Sequence, residues 1–564
     1  MNNLWIVLLL LLPLSSFGQK DYSVEWQGAS LRSFIKHPET KFKDSLQADK
    51  YIQNLRADAI DDGFLLASVD SIQYSKKKAE VYFFLGQSYE SAVLKLPKDE
   101  VTFVRRNARL SEKFLAEIPL TPKDLGNNLQ RIHEAYLDNG YPFASIQLDL
   151  VQIDGAQIRA NIKIDRGPIF TWKKIHIKGD TAVGQKYLSS LIGISEGDVY
   201  NRKRLQQISG AIAQVPFIKE IRQHEILFTK KGCELYVYVE SVAISSFNGV
   251  VGLQPDPISE RLQITGDLNL RLMNVLKRGE LLNIRWQSIR DQTQSLTSRL
   301  NYPFLFGTSF GIDGKFDLYK RDTSFLELNG VIGVQYFLNR GNYVKAYYQT
   351  LTSSVLEGGQ NNPTFQNLGN TQSNNYGLAF SSNRVDYLPN PSRGFRVDVE
   401  SSIGSRNSQR NDSAQVIRST TFRGKLDLEW FIPLYKRHVL RLSNNTEFYI
   451  ADEIFQNEVF RFGGLTAQRG FNEDELLATT RTSFVAEYRF LLDQNSHVFA
   501  FFDQTWYENV SGNYFNDAPY GFGLGFSFRT NLGVFSISYA LGSQFDAPIQ
   551  FNSSKVHFGY IAYF

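Results

Sequence analysis

Gly463-Gly464-Leu465-Thr466-Ala467-Gln468-Arg469-Gly470-Phe471 gathers unusual chemistry in a short stretch. The glycine pair lets the chain turn tightly, and Gly470 permits close backbone approach. Arg469 carries a planar fork that can make two parallel bonds to a carboxylate. Phe471 adds a large apolar face. The stretch lies in a long run, 451–480, that interrupts a steady rhythm of short alternating strands. Such a run in a compact strand-rich domain is usually functional or disordered. Downstream, in 481–490, Phe484, Ala486, Tyr488 and Phe490 share one face, and Ser483, Val485, Glu487 and Arg489 share the other. That alternation points Glu487 inward. In 498–506 both faces are largely apolar, and alternation does not place Asp503.

Bond-making chemistry is not indicated. The 7 histidines are scattered, with no H-E-x-x-H or paired spacing, and neither a G-x-S-x-G elbow nor a phosphate loop occurs. The single cysteine, Cys233, excludes a disulfide framework and a cysteine metal site. It alternates in phase with Leu235, Val237 and Val239 and reads as a buried strand residue. The expectation is a non-enzyme with no metal and no cofactor.

The elements that must position the loop divide into two halves. Aromatics make up 14% of the 564 residues, mostly 43 Phe and 28 Tyr, while charged residues are 21% and net charge is +4. That balance gives no footprint for nucleic acid. Mean hydropathy is slightly negative, and no segment beyond the N-terminus reaches the ~18 apolar residues of a membrane-spanning helix. An aromatic-rich, moderately polar chain suits a transmembrane β-barrel, which conceals its apolar signal in alternation. Residues 1–18 read as a secretory signal, with an apolar core from Leu4 to Leu14 and small residues at Ser16 and Gly18.

In the first half, Asp62-Gly63-Phe64-Leu65-Leu66-Ala67-Ser68-Val69 recurs as Asn139-Gly140-Tyr141-Pro142-Phe143-Ala144-Ser145-Ile146, with a fainter copy at Val215-Pro216-Phe217-Ile218. Each copy follows an amphipathic helical pattern (44–60, 121–137 and 201–213) and precedes period-two strands. Gly86-Gln87-Ser88-Tyr89 is echoed by Gly167-Pro168-Ile169-Phe170 and marks a boundary. The repeats predict three β-α-α-β-β modules, 19–85, 86–166 and 167–243. This half resembles a tandem of POTRA domains, which implies binding of client segments by strand addition at an open sheet edge.

The second half, 244–564, holds sixteen candidate strands with apolar-out, polar-in alternation, as in Tyr520, Phe522, Leu524, Phe526 and Phe528 against Gly521, Gly523, Gly525, Ser527 and Arg529. The fold class expected is α+β repeats followed by an all-β antiparallel transmembrane barrel. Its first strand (246–253, with Gly249 and Gly252) and last strand (556–564, with Gly559 and a terminal Phe564) carry glycines that weaken packing. They predict a lateral seam that could open.

The loop and the strands after it resemble the BamA/TamA superfamily of outer-membrane assembly and translocation proteins. The tripeptide alone is not diagnostic, because Arg393-Gly394-Phe395 repeats it and reads as turn-to-strand punctuation. The later copy has a glycine pair, a long loop and two following strands with carboxylates. The resemblance implies that Arg469 bridges Glu487 and Asp503 inside the lumen, with Phe471 on the inner wall. Three modules match a TamA-like arrangement. It further implies an outer-membrane location with the modules in the periplasm, and clients that are unfolded outer-membrane or secreted proteins. Outer-membrane lipids and a periplasmic or inner-membrane assembly partner complete the expected contacts. The alternatives are a two-partner-type secretion pore that passes a dedicated substrate through its lumen, and a structural or adhesive barrel.

Overall fold

The computed structural model describes residues 22–561 apart from 28–33, 36, 111–113, 115–119, 180–182, 256–261, 291–292, 339–341, 361–366, 388–389, 412, 466, 531–532 and 546. The expected signal segment and Phe564 lie outside the described residues. The chain divides into two compact units, Met1–Thr171 with Val199–Arg202, and Trp172–Asp198 with Lys203–Phe564.

The first unit holds two small sheets with helices packed on them. One sheet runs in the order Lys41–Phe42, Tyr22–Gln27, Lys78–Phe84, Ser68–Tyr74, and the other Ser91–Lys95, Gln157–Asp165, Ser145–Asp154. Helix Ser45–Asp61 starts where the Asp44 carboxylate accepts from Gln47 N at 2.8 Å, and it buries Ala48, Ile52, Leu55 and Ala59 on one stripe. Helix Pro122–Leu137 starts at Thr121, with proline at its first position. It buries Leu125, Asn128, Ile132, Ala135 and Tyr136. Each fully buried aliphatic side chain of this kind contributes about 1.5–3 kcal/mol. Strand Ser145–Asp154 is an open edge, and its Leu150, Val151 and Ile153 side chains are exposed.

The repeated glycine turn is a joint. Gly63 O accepts from Tyr89 N at 2.9 Å, and at the equivalent place Gly140 O accepts from Phe170 N at 2.8 Å. The two glycines have φ of +103° and +101°. A Cβ at Gly140 would lie 2.6 Å from Val199 Cγ1 and 2.8 Å from Ile169 Cγ1, so a side chain there is excluded by both strain and space. The recurring motif thus receives the leading segment of the following repeat.

An ion pair between buried Glu100 and partly exposed Arg166 closes the second sheet's core. Glu100 takes two bonds from Arg166, Nε at 2.8 Å and Nη2 at 2.5 Å, and one from the Tyr136 hydroxyl. Burial alone would raise the Glu100 carboxyl, but the bonds from Arg166 and Tyr136 and the Arg166 charge hold it below the usual carboxylate range.

In the second unit, the sheet Trp172–Gly179, Gly232–Ser241, Ile218–Thr229 packs its buried row Cys233, Leu235, Val237 and Val239 against helices Gln185–Ile192 and Arg202–Ala213. Burial pushes the Cys233 thiol up to about 11, the state of an inert core residue. The Gln185–Ile192 helix meets the turns at one end of the barrel. Gly184 N donates to Lys277 O at 3.1 Å, Ser190 Oγ to Gly307 O at 3.2 Å, and the Tyr187 ring packs on Phe304.

The barrel is a nearly closed antiparallel array of sixteen strands. In chain order they are Ser246–Pro255, Leu262–Met273, Leu281–Arg290, Thr293–Tyr302, Phe310–Arg321, Phe325–Phe337, Tyr343–Val355, Gly369–Val385, Gly394–Arg410, Val416–Tyr435, His438–Ile450, Thr480–Leu491, His497–Asn509, Tyr520–Thr530, Gly533–Ser543 and Lys555–Ile561. They are called the first to sixteenth strands below. Their described lengths differ, from 7 residues in the sixteenth and 10 in the third and fourth to 17 and 20 in the ninth and tenth. Outside, Ile332, Tyr376, Leu378, Trp430, Phe484 and Leu524 are exposed, while Asp313, Gln335, Lys345, Arg406, Glu487 and Asp503 are buried within. This inversion of a soluble core is the pattern of a barrel in lipid. Arg393-Gly394-Phe395 opens the ninth strand, as punctuation. No helix among the described residues is long and apolar enough to cross a membrane.

The depressed Glu100 value sets a sign for acid sensitivity. A carboxylate held below its unfolded value of ~4.3 contributes stability above that pH and loses it as pH falls through the folded value. In the full-length protein, amide protection of helix Pro122–Leu137 should therefore drop on acidification below pH ~4. Glu100→Gln should lower protection at neutral pH by about 1.5–3 kcal/mol and flatten the acid dependence. Hydrogen exchange at two pH values measures both.

Candidate functional site: an arginine latch in the barrel lumen

The long run between the eleventh and twelfth strands folds into the lumen rather than outward. Its legs pair as a short hairpin, Phe460–Phe462 with Leu476–Ala478. At its bend Gly463 and Gly464 adopt φ of +131° and +82°, and the Glu473 carboxylate accepts from Leu465 N at 3.0 Å. Phe462, Phe471, Leu476 and Ala478 bury together against Tyr507 of the thirteenth strand.

Arg469 is the centre of the site. Its Nε and Nη2 donate to Asp503 Oδ2 and Oδ1 at 2.8 and 2.6 Å, and its own backbone N–H donates to Oδ2 at 3.1 Å. Nη1 donates to Glu487 Oε2 at 2.7 Å. The guanidinium carbon lies 3.5 Å from the centroid of the Phe501 ring, which adds a cation–π contact on one face. All three charged side chains are under 9% exposed, so the group is cut off from bulk water.

The two carboxylates are not equivalent. Glu487 also accepts from Arg489 Nε at 2.7 Å and faces Arg441 Nη1 at 3.9 Å. Arg441 continues to Glu429 at 2.6 Å, and Glu429 to Arg396 at 2.9 Å. Glu487 is therefore one knot in an ion network on the wall, whereas the Asp503 carboxylate receives its three bonds from Arg469 alone among the described residues.

Glycines let the tip reach the wall. A Cβ on Gly470 would lie 2.8 Å from Gly542 Cα, and one on Gly542 would lie 2.8 Å from Gly470 O. Gly521 faces the Arg469 carbonyl with no room for a side chain. Gln468 is fully buried, donating to Asp503 O at 3.3 Å and accepting from Thr505 Oγ1 at 2.5 Å. The tip also touches the last strand, where His557 Nε2 accepts from Gly470 N at 3.4 Å.

Of the residues singled out in the sequence, Arg469, Gly470, Phe471, Glu487 and Asp503 come together here, with Gly463 and Gly464 at the bend. Gly249 and Gly252 lie apart in the first strand, paired with Leu268 and Thr265, and Gly559 pairs with Ser536. Among the described residues no ladder joins the first strand to the sixteenth. Sequence reading missed Gln468, Phe501, Gly521, Gly542, Arg441, Arg489 and His557. Arg441 and Arg489 could have been found from inward alternation with Glu487. Phe501 and Gly542 could not, because they matter only through what the loop lays on them.

A branched side chain at position 542 should drive the tip off the wall. Gly542→Val is expected to cost about 1–3 kcal/mol through overpacking. Tryptic cleavage after Arg469, slow in the wild type, should accelerate at least tenfold in the folded variant. Unchanged cleavage would show that the close glycine contact does not hold the tip.

Comparisons with known proteins bear on both halves. The POTRA family model, described as surface antigen variable number repeat, matches residues 170–239. The outer membrane protein assembly factor BamA of Buchnera aphidicola subsp. Acyrthosiphon pisum (strain APS) is 27% identical over 104 residues, 18% of this chain and 17% of that relative. The aligned stretch thus spans under a fifth of the curated relative. CdiB from Acinetobacter baumannii shares the fold with a TM-score of 0.52 at 15% identity, over 95% of this chain and 99% of that one. CdiB from Escherichia coli gives 0.51 at 14% identity, over 92% and 97%. A matched POTRA segment at 170–239, a stretch of likeness to BamA and a barrel architecture shared with CdiB together support a place for this chain in the BamA/TamA-type superfamily, whose POTRA domains are periplasmic in homologues.

Proposed function

We propose that this chain receives unfolded polypeptide through three periplasmic modules, 19–85, 86–166 and 167–243, and assembles or translocates it at the barrel without bond-making chemistry. The observation that carries the reading is the buried contact of Arg469 with Asp503 and Glu487, which ties an otherwise extracellular loop to the wall beside the last strands. That no ladder joins the first and sixteenth strands among the described residues supports client insertion through that seam into outer-membrane lipid. The open edge Ser145–Asp154, with exposed apolar side chains, supports strand addition by clients, because main-chain bonding is indifferent to sequence. A further periplasmic or inner-membrane partner would deliver clients to these modules.

A second reading, a secretion pore for a dedicated substrate, has its own observation. Polar cavities remain in the lumen, one lined by Arg396, Lys425, Glu429 and Arg469 and another by Arg299, Asp313, Lys345 and Glu447. Withdrawal of the loop would join charged, water-filled space.

Arg469→Ala should leave the protein in the membrane but lower client assembly sharply, since removing one partner of a buried pair costs about 3–5 kcal/mol. Asp503→Asn should be more damaging than Glu487→Gln, because Glu487 belongs to a wider network. Wild-type assembly rates in Arg469→Ala would sink the latch. Stalled clients should crosslink to probes in the first and sixteenth strands; capture confined to lumen probes would favour the pore. In the periplasm, a photo-crosslinker at Val151 should capture unfolded client more efficiently than one at Val93.

A further inference from the structure

We propose that Asn457 and Glu458 form a fixed root for the inward loop, and that release of Arg469 moves only the tip beyond the glycine pair, 463–471. Asn457 is fully buried; its Nδ2 donates to Ser353 Oγ at 2.7 Å and Gly369 O at 2.8 Å, while its Oδ1 accepts from Gly369 N at 3.2 Å. Glu458 takes a bidentate pair from Arg406, Nε at 3.0 Å and Nη2 at 2.6 Å, with both side chains 1% exposed. Its oxygens also accept from Tyr449 Oη and Phe455 N, each at 3.1 Å. The Arg406 guanidinium lies over the Phe455 ring, and Gly369 leaves no space between its backbone and that ring.

These contacts belong to the seventh, eighth, ninth and eleventh strands. Those of the tip belong to the twelfth to sixteenth. The two sets share no residue, so each can break while the other stays whole. Every bond to Glu458 and Asn457 comes from groups that are themselves buried or backbone. Between them lies the bend at Gly463 and Gly464, where positive φ at two consecutive glycines offers the backbone freedom that a hinge uses. Asn457, Glu458 and Arg406 are thus positioning residues. They fix where the loop starts, and so confine the Arg469 tip to one sector of the wall whether or not it is engaged.

The inference rests on the reading of Arg469 as a releasable latch, and hydrogen exchange of the full-length protein in lipid nanodiscs separates the two. Arg469→Ala should accelerate exchange at 465–471 tenfold or more and leave 455–458 within twofold of wild type. Equal acceleration of both segments would overturn the fixed root, because the loop would then move as one body. No acceleration at 465–471 would remove the latch itself, and the moving tip with it. Arg406→Met/Glu458→Leu, which removes both charges and leaves none orphaned, should accelerate 455–458 tenfold or more and leave 465–471, still held by Arg469, within twofold of wild type. Should that pair fail to fold, Asn457→Ala gives the same comparison without touching a charge; protection at 455–458 unchanged in it would also overturn the root.

Discussion

A guanidinium withdrawn from water needs carboxylates, fixed in geometry, on the groups that surround it. In this barrel that requirement is met by strands whose inward rows are polar, and it decides where the loop goes. Arg469 cannot sit among the outward leucines and phenylalanines, and in bulk water it would gain little from pairing. Inside, Asp503 holds it by three bonds and Glu487 by one, with Phe501 beneath. The remaining features of the lumen accommodate that choice. Glycines thin the wall where the tip lies, and a bond from Arg489, with Arg441 close by, fixes the aim of Glu487.

The periplasmic half depends on a different constraint, and a simpler one. In the first two repeats the glycine turn offers its carbonyl to the segment that follows, Gly63 O to Tyr89 N and Gly140 O to Phe170 N. The glycine clears the path, while the aromatic residue after it packs within its own repeat, Phe64 on Phe34 and Tyr141 on Phe103 and Tyr136. The motif marks a connection between modules rather than a binding surface.

Much of this was legible in the residues. The turn repeat, the caps at Asp44 and Thr121, the alternation of strands such as Tyr520–Thr530 and the inward aim of Glu487 follow from local pattern, which folding obeys wherever one face is buried. Asp503 was not legible from pattern, because its strand places Phe499, Phe501 and Tyr507 on the inward face beside it. Those aromatics are there to meet the loop, so the usual polar-in signal fails where the site is built. Gly542 and Gln468 escaped for the same reason, since their importance arises from a contact between segments distant in sequence. The root at Glu458 had no local signature, as an acidic residue in a loop ordinarily reads as solvated.

Strand length is a ruler held against the bilayer. At ~3.3 Å per residue and a ~45° tilt, the 20 residues of Val416–Tyr435 rise roughly 47 Å, well beyond a hydrocarbon core of ~30 Å. The 10 residues of Leu281–Arg290 rise only about 23 Å. One wall therefore stands well clear of the membrane, while the other, at the third strand, only just spans an apolar band of ~25 Å. Along that low wall each ångström of extra bilayer thickness would cost a fraction of a kcal/mol. The tall wall tolerates bilayers of many thicknesses, whereas the low wall is matched to a thin one.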